Sequence, residues 1–297
     1  VSLATGTVAA AGTVGALIPP SILMILYGII AQVPVSSLFM GGVGAGPLTV
    51  LGYVGVVVIR AKLNPALAPR DDDRFSWPDR LGALVETWPV LLLMLGVLGG
   101  LFMGAFTPTE AGAVGSFLAV VIALLKRGLT WQGFRAAVID TLINSAALFI
   151  IAIGASMLTR FIAYSGAGDV LAEAISGAGL SFTLLLIGIA CVYLLLGMFL
   201  EPIGAMLLTL PILLPIIDEA GWNLIWFGVL LAKFLEIGMI TPPIGLNVFV
   251  IKGVVGDLAS TGTIFRGVMW FLVADLLIVT ALVVVPEIVL WLPSVAG

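Results

Sequence analysis

Long apolar runs, interrupted at only a few polar or Pro-rich points, dominate this chain. A membrane span needs about 20 mostly apolar residues. Leu3–Ala31 is one such stretch, broken in its middle by Pro19-Pro20. Ser37–Ile59, Pro89–Phe106, Glu110–Leu125 and Thr141–Ile162 read as further spans. Phe182–Ile217 is interrupted by Glu201-Pro202-Ile203-Gly204, with roughly 15 residues on each side, too few for two comfortable crossings. A charge followed by Pro and Gly there predicts a re-entrant hairpin, which survives at membrane depth only inside protein or beside water. Trp222–Val255 is broken at Pro242-Pro243, and Ile264–Trp291 is a last span, kinked or ended near Pro286. Arg60–Trp88 is the one long polar loop and holds Asp71-Asp72-Asp73. Lys126–Asp140 is a short basic, amphipathic link, and Gly166–Gly179 is a small-residue loop with one short helix. The pattern predicts an all-α polytopic membrane protein with about eight membrane segments plus the hairpin.

Composition narrows the chemistry. Of 297 residues, 61% are hydrophobic and 9% charged, against about 25% charged in an ordinary soluble domain. Mean hydropathy is +1.27. A soluble enzyme, a nucleic-acid binder and a disordered tail are all excluded. The chain has no histidine, which removes Ser-His-Asp, Cys-His and His-ligated metal chemistry. The single Cys191 cannot form an internal disulfide. Lys and Arg placement orients the spans. With the Arg60–Trp88 loop cytoplasmic, Arg60, Lys62, Arg70, Arg74, Arg80, Lys126, Arg127, Arg135, Lys252 and Arg266 all fall inside. Arg160 alone falls outside, and Lys233 lies within a membrane segment. The first residues, Val1–Ala11, already read as helix interior without an initiator Met or a signal-peptide pattern, so a preceding N-terminal part is expected.

The two Pro-Pro interruptions match. Gly15-Ala16-Leu17-Ile18-Pro19-Pro20-Ser21-Ile22-Leu23 parallels Gly238-Met239-Ile240-Thr241-Pro242-Pro243-Ile244-Gly245-Leu246. The charge-derived topology runs the first copy outward and the second inward. Paired, antiparallel discontinuous helices are the signature of inverted-repeat secondary transporters, whose sites lie near the bilayer midplane. Proline lacks an N–H and clashes with the carbonyl four residues back. Pro19 and Pro20 therefore free the carbonyls of Gly15 and Ala16, and Pro242 and Pro243 those of Gly238 and Met239. Freed carbonyls suit a small hard cation such as Na⁺, while the half-helix starting after each break suits an anion.

These segments, together with Gly12-Thr13-Val14 and Phe106-Thr107-Pro108-Thr109-Glu110-Ala111, resemble the large membrane subunit of tripartite ATP-independent periplasmic (TRAP) transporters along essentially the whole chain. The resemblance implies an elevator-type, ion-transporter-superfamily-like fold and a Na⁺-driven importer of organic anions in a bacterial or archaeal inner membrane. It implies a periplasmic substrate-binding protein, a small four-helix membrane subunit and the lipid bilayer as partners, with no nucleic acid. Mapped onto the family, residues 1–31 are the first broken helix and 32–181 scaffold helices containing the cytoplasmic loop 60–88. Residues 182–219 are the second hairpin, 220–256 the second broken helix and 257–297 the final transmembrane helix. The family's first hairpin has no counterpart here. One Na⁺ is then held partly by carbonyls around Gly15, Ile18 and Pro20, its other ligands belonging to that hairpin. A second Na⁺ lies between Gly238, Thr241, Pro243 and the hairpin tip at Gly204, Ala205 and Met206. Substrate contacts are expected from Ser21, Glu201, Gly204 and Asn247, Glu201 standing where the family usually has Asp.

Other residues carry local expectations. Lys233 and Glu236, three apart within a span, are set to pair on one helix face, or else face substrate. Asn247 either bonds a freed backbone group or contacts substrate. Thr107 or Thr109 caps a helix whose first turn carries Glu110. Gly166-Ala167-Gly168-Asp169 matches a string of intramembrane aspartyl proteases, but Asp169 falls in a polar loop by the topology above, and Asp275, the only other Asp inside an apolar span, lacks the expected Tyr-Asp context. Two further readings stand beside the importer: a sodium–dicarboxylate or ion symporter working without a binding protein, and, remotely, such a membrane enzyme.

Overall fold

The computed structural model describes residues 1–68, 76–166, 170, 177 and 181–296. Asp71-Asp72-Asp73 and most of Gly166–Gly179, including Asp169, lie outside the described residues. Among those described there are thirteen α-helices and no strand. They are α1 (Ser2–Ala11), α2 (Ile22–Ala31), α3 (Val35–Leu63), α4 (Trp77–Glu86), α5 (Trp88–Phe102), α6 (Pro108–Leu125) and α7 (Trp131–Ser165). After them come α8 (Phe182–Phe199), α9 (Pro202–Glu219), α10 (Leu224–Ile240), α11 (Leu246–Val255), α12 (Thr261–Val284) and α13 (Glu287–Ala296). By length and composition five of these are able to cross a membrane: α3, α7 (over Trp131–Leu158), α8, α9 and α12. Counting α4 and α5, bent by 49°, as one span gives a sixth.

Both interruptions read as broken helices are breaks between helices, the first wider than Pro19-Pro20 alone because α1 already ends at Ala11. The first separates α1 from α2, with a 3₁₀ turn at Val14–Ala16; the second separates α10 from α11. Glu201 separates α8 from α9, but each arm has 18 residues rather than about 15. The apolar run ends at Ile217, whereas the helix continues through Asp218 and Glu219. Two further differences have local causes. The link Lys126–Asp140 is not a separate element, because nothing between Trp131 and Ser165 stops the helix and α7 runs unbroken for 35 residues. The polar loop holds an amphipathic helix, α4, started by a Ser76/Asp79 capping box with Pro78 in its first turn. Hydrogen bonds from Ser76 hold the Asp79 carboxyl below its ordinary range.

The chain packs as two units, Val1–Pro69 with Ala152–Gly297, and Arg70–Ile151. In the second, α5 and α6 pack together, and Thr107 caps α6 with Glu110 accepting from the Thr107 N–H and hydroxyl at 2.8 and 2.9 Å. Thr107, rather than Thr109, is the cap.

The first unit is built around α10, buried from Trp226 to Gly238. Small residues let its neighbours approach at backbone distance, as membrane helix pairs require. A Cβ on Gly238 would lie 2.7 Å from the Gly197 Cα of α8. A Cβ on Gly267 of α12 would lie 2.0 Å from the Ser2 carbonyl oxygen of α1, and one on Gly44 of α3 would lie 1.8 Å from the Ile288 oxygen of α13. Polar side chains tie the ends: Tyr27 donates to the Leu224 carbonyl at 2.8 Å, and Trp226 Nε1 to that of Leu282 at 2.8 Å. Across the hairpin, the Tyr193 and Thr209 hydroxyls are 2.6 Å apart.

Candidate functional site: two broken helices and a buried ion cluster

The first break follows from its sequence. α1 ends at Ala11, and Thr13 turns back to donate to the Ala10 carbonyl through both N–H (3.1 Å) and Oγ1 (2.8 Å). Thr13's withdrawal leaves the Ala9 carbonyl without its helical partner. After the 3₁₀ turn, Pro19-Pro20 is cis and Ser21 caps α2. Ser21 Oγ accepts from Met24 N–H at 3.4 Å and donates to the freed Ala16 carbonyl at 2.5 Å. Ser21 is buried, so its hydroxyl serves the break itself. Gly15 is exposed with open space where a side chain would be. It lines a cavity of about 480 Å³ with Thr7, Ile18, Tyr53 and Val57. Pro20 is exposed and Ile18 half-buried.

The second break repeats the plan with different polar groups. Pro242-Pro243 is again cis. Thr241 Oγ1 donates to the Ile237 carbonyl at 2.6 Å, and Thr241 N–H to that of Gly238 at 3.1 Å. The Thr241 hydroxyl keeps its oxygen lone pairs for a further partner. Gly245, with φ of 59°, starts α11 in a left-handed conformation that disfavours a side chain. Asn247 follows, and its Nδ2 donates to the orphaned Ala9 carbonyl at 3.3 Å. Asn247 thus bonds a freed backbone group, and the two breaks meet through it.

The hairpin tip completes the candidate residues. Glu201 is exposed and caps α9, its Oε2 accepting from the Gly204 N–H at 3.1 Å. Gly204 has open space around it; Ala205 and Met206 are buried. α8 brings Gly197 against Gly238 just before this tip, so the hairpin and the second break share one helix contact. Among the described residues no three acidic or Cys side chains converge. A cation at either break would rest on carbonyl and hydroxyl oxygens, a donor set suited to Na⁺ and poor for a transition metal.

Beside the breaks lies a buried ion cluster. Lys233 Nζ is 3.2 Å from Glu236 Oε2, as their spacing predicts, but 2.7 Å from Asp275 Oδ1 of α12. Tyr53 of α3 donates to both Asp275 oxygens at 2.9 and 3.0 Å, and Lys233 Nζ sits 5.4 Å from the Tyr53 ring centroid. All three charged side chains are at most 1% exposed. The cluster borders the first break: Tyr53 lines the same cavity as Val14, Gly15 and Ile18. Glu236 Oε1 has no hydrogen-bond partner among the described residues. Sequence reasoning does not find the roles of Asp275 and Tyr53. The available signal is an acid alone within an apolar span, which calls for a buried partner. Asp275 is occupied by Lys233 and Tyr53, an arrangement unlike a protease's paired acids.

Comparison with known proteins places this architecture. Residues 1–288 match the family described as "Tripartite ATP-independent periplasmic transporter, DctM component". The C4-dicarboxylate TRAP transporter large permease of Pseudomonas aeruginosa is 33% identical over 297 residues, covering 98% of this chain and 67% of that protein. The corresponding Vibrio cholerae permease is 31% identical, covering 98% and 68%. The sialic acid TRAP large permease of V. cholerae is 30% identical, covering 98% and 67%. The chain spans about two thirds of the length of these relatives, all transporter permease subunits and none an enzyme. With its apolar helices and paired breaks, the chain belongs to the DctM family of TRAP transporter large permeases.

Proposed function

We propose that this chain forms the translocating core of a Na⁺-coupled importer of organic anions, carboxylates or sugar acids, in a bacterial or archaeal inner membrane. In this reading a periplasmic binding protein delivers the anion, and a small four-helix subunit completes the membrane complex. The observation that carries the proposal is the meeting of the two breaks, Asn247 of one on the Ala9 carbonyl of the other. The ion and the anion then act on one connected structure. Na⁺ held at Gly15, Ile18 and Pro20, and at Gly238, Thr241 and Pro243 with Gly204, Ala205 and Met206, fixes the surface that the anion binds. Because coupling is reciprocal, bound anion also tightens Na⁺. The driving force is about 2.3 kcal/mol per charge moved per 100 mV. Relatives named for C4-dicarboxylate and sialic acid support a carboxylate substrate.

Reconstitution of the complete transporter in liposomes tests the proposal, with succinate and sialic acid as probes. Uptake is expected only with an inward Na⁺ gradient and the loaded binding protein. Uptake of free anion without the binding protein would favour a stand-alone symporter, and uptake indifferent to Na⁺ would remove the coupling.

A further inference from the structure

Arg160 breaks the charge rule that orients the chain: it is the one basic residue placed on the outside. In the structure it lies near the end of α7, four residues after Ser156 and eight after Ala152, so the three share one helix face. That face meets Leu26, Ile29 and Ile30 of α2, the α2 cap residue Gln32, and Leu207 and Pro211 of α9 around a cavity of about 360 Å³. The walls are apolar except for Gln32, Ser156 and Arg160. Gln32 holds its place by donating Nε2 to the Ile29 carbonyl at 2.6 Å. No acidic side chain among the described residues is within ion-pair distance of Arg160. A second cavity shares Ile30 and Pro211 and continues along the ends of α2 and α9 to Asp218 and to Leu224 at the start of α10.

An exposed guanidinium with no acidic partner among the described residues, at an apolar-walled cavity beside one amide and one hydroxyl, is built for an oxyanion. Its planar fork matches a carboxylate in two parallel hydrogen bonds. A cavity of this size holds a small organic acid with its carbon chain against the Leu, Ile and Pro walls. We propose that Arg160, assisted by Ser156 and Gln32, forms an outer subsite that receives one carboxylate of the incoming anion before it reaches the breaks. The subsite rests on the organic-anion reading above and adds to it a residue that the two breaks do not supply. A phosphate of an anionic lipid headgroup presents the same oxyanion chemistry, and the test separates the two.

The complete transporter is compared as wild type, R160Q and R160K. One measurement is thermal unfolding in detergent against succinate or sialic acid; the other is uptake in liposomes of zwitterionic lipid and of lipid containing phosphatidylglycerol. R160Q is expected to raise the half-saturating anion concentration in the thermal titration by ~10- to 100-fold, the loss of a charge-assisted hydrogen bond. Its uptake falls in both lipids, its unliganded unfolding temperature and Na⁺ half-saturation stay at wild-type values, and R160K recovers part of the loss. An unchanged anion titration for R160Q overturns the subsite, as does an uptake defect confined to liposomes with anionic lipid. Wild-type protein that binds the anion without Na⁺-driven uptake overturns the importer reading and leaves the titration to decide the subsite. Wild-type protein that responds to neither anion overturns both.

Discussion

Lys233, Glu236 and Asp275 put two acids and one base where water does not reach. Truncating one partner of a buried pair leaves an uncompensated charge and costs about 3–5 kcal/mol. K233M strands both acids and should approach that full cost in thermal unfolding of the purified permease. D275N should cost clearly less, because Lys233 keeps Glu236 at 3.2 Å. Equal destabilisation by the two would show that the cluster does not share its charge in this way. Asn247 offers a smaller test: N247L orphans the Ala9 carbonyl and should cost about 1–3 kcal/mol in the same assay. At this scale the sequence is half legible. The Lys233–Glu236 pair follows from helical spacing, and a cap at Thr107 or Thr109 from residue type. Asp275 and Tyr53 come from distant segments, and nothing local to Lys233 announces them.

Several elements meet at glycines whose close approach leaves no room for a side chain. G267A puts a methyl into the Ser2 carbonyl, and G44A puts one into that of Ile288. Each should destabilise the fold by about 1–3 kcal/mol through overpacking. A methyl on Gly55 of α3 would meet no atom within 4 Å, so G55A should be neutral or stabilising by up to about 1 kcal/mol. Thermal unfolding of the three variants side by side checks the contrast. Most elements are legible because prolines and one glutamate mark their ends. α4 is hidden because a polar stretch after a span reads as loop, although Ser76-x-x-Asp79 signals its start. The long α7 reads as two elements because its composition changes from basic to apolar at a point where the backbone has no boundary.

For the whole molecule, apolar content and the paired Gly-x-x-x-Pro-Pro segments make the class readable before any contact is known. What a sequence pattern cannot supply is how the breaks are joined. That joining runs through Asn247 to the Ala9 carbonyl, with Gly197 against Gly238 bringing the hairpin to the second break and Tyr53 lining the cavity at the first. In the function proposed above, the second break holds Na⁺ through the Thr241 hydroxyl and the carbonyls its prolines free. T241V removes that hydroxyl, and P243A restores an N–H able to reclaim the Met239 carbonyl. The direct measurement is the Na⁺ concentration that half-saturates anion uptake by the complete transporter in liposomes, wild type against the T241V/P243A double variant. A rise of ~10-fold or more is expected, equivalent to about 1.4 kcal/mol of lost ion binding. An unchanged Na⁺ dependence in a variant that still transports would contradict it.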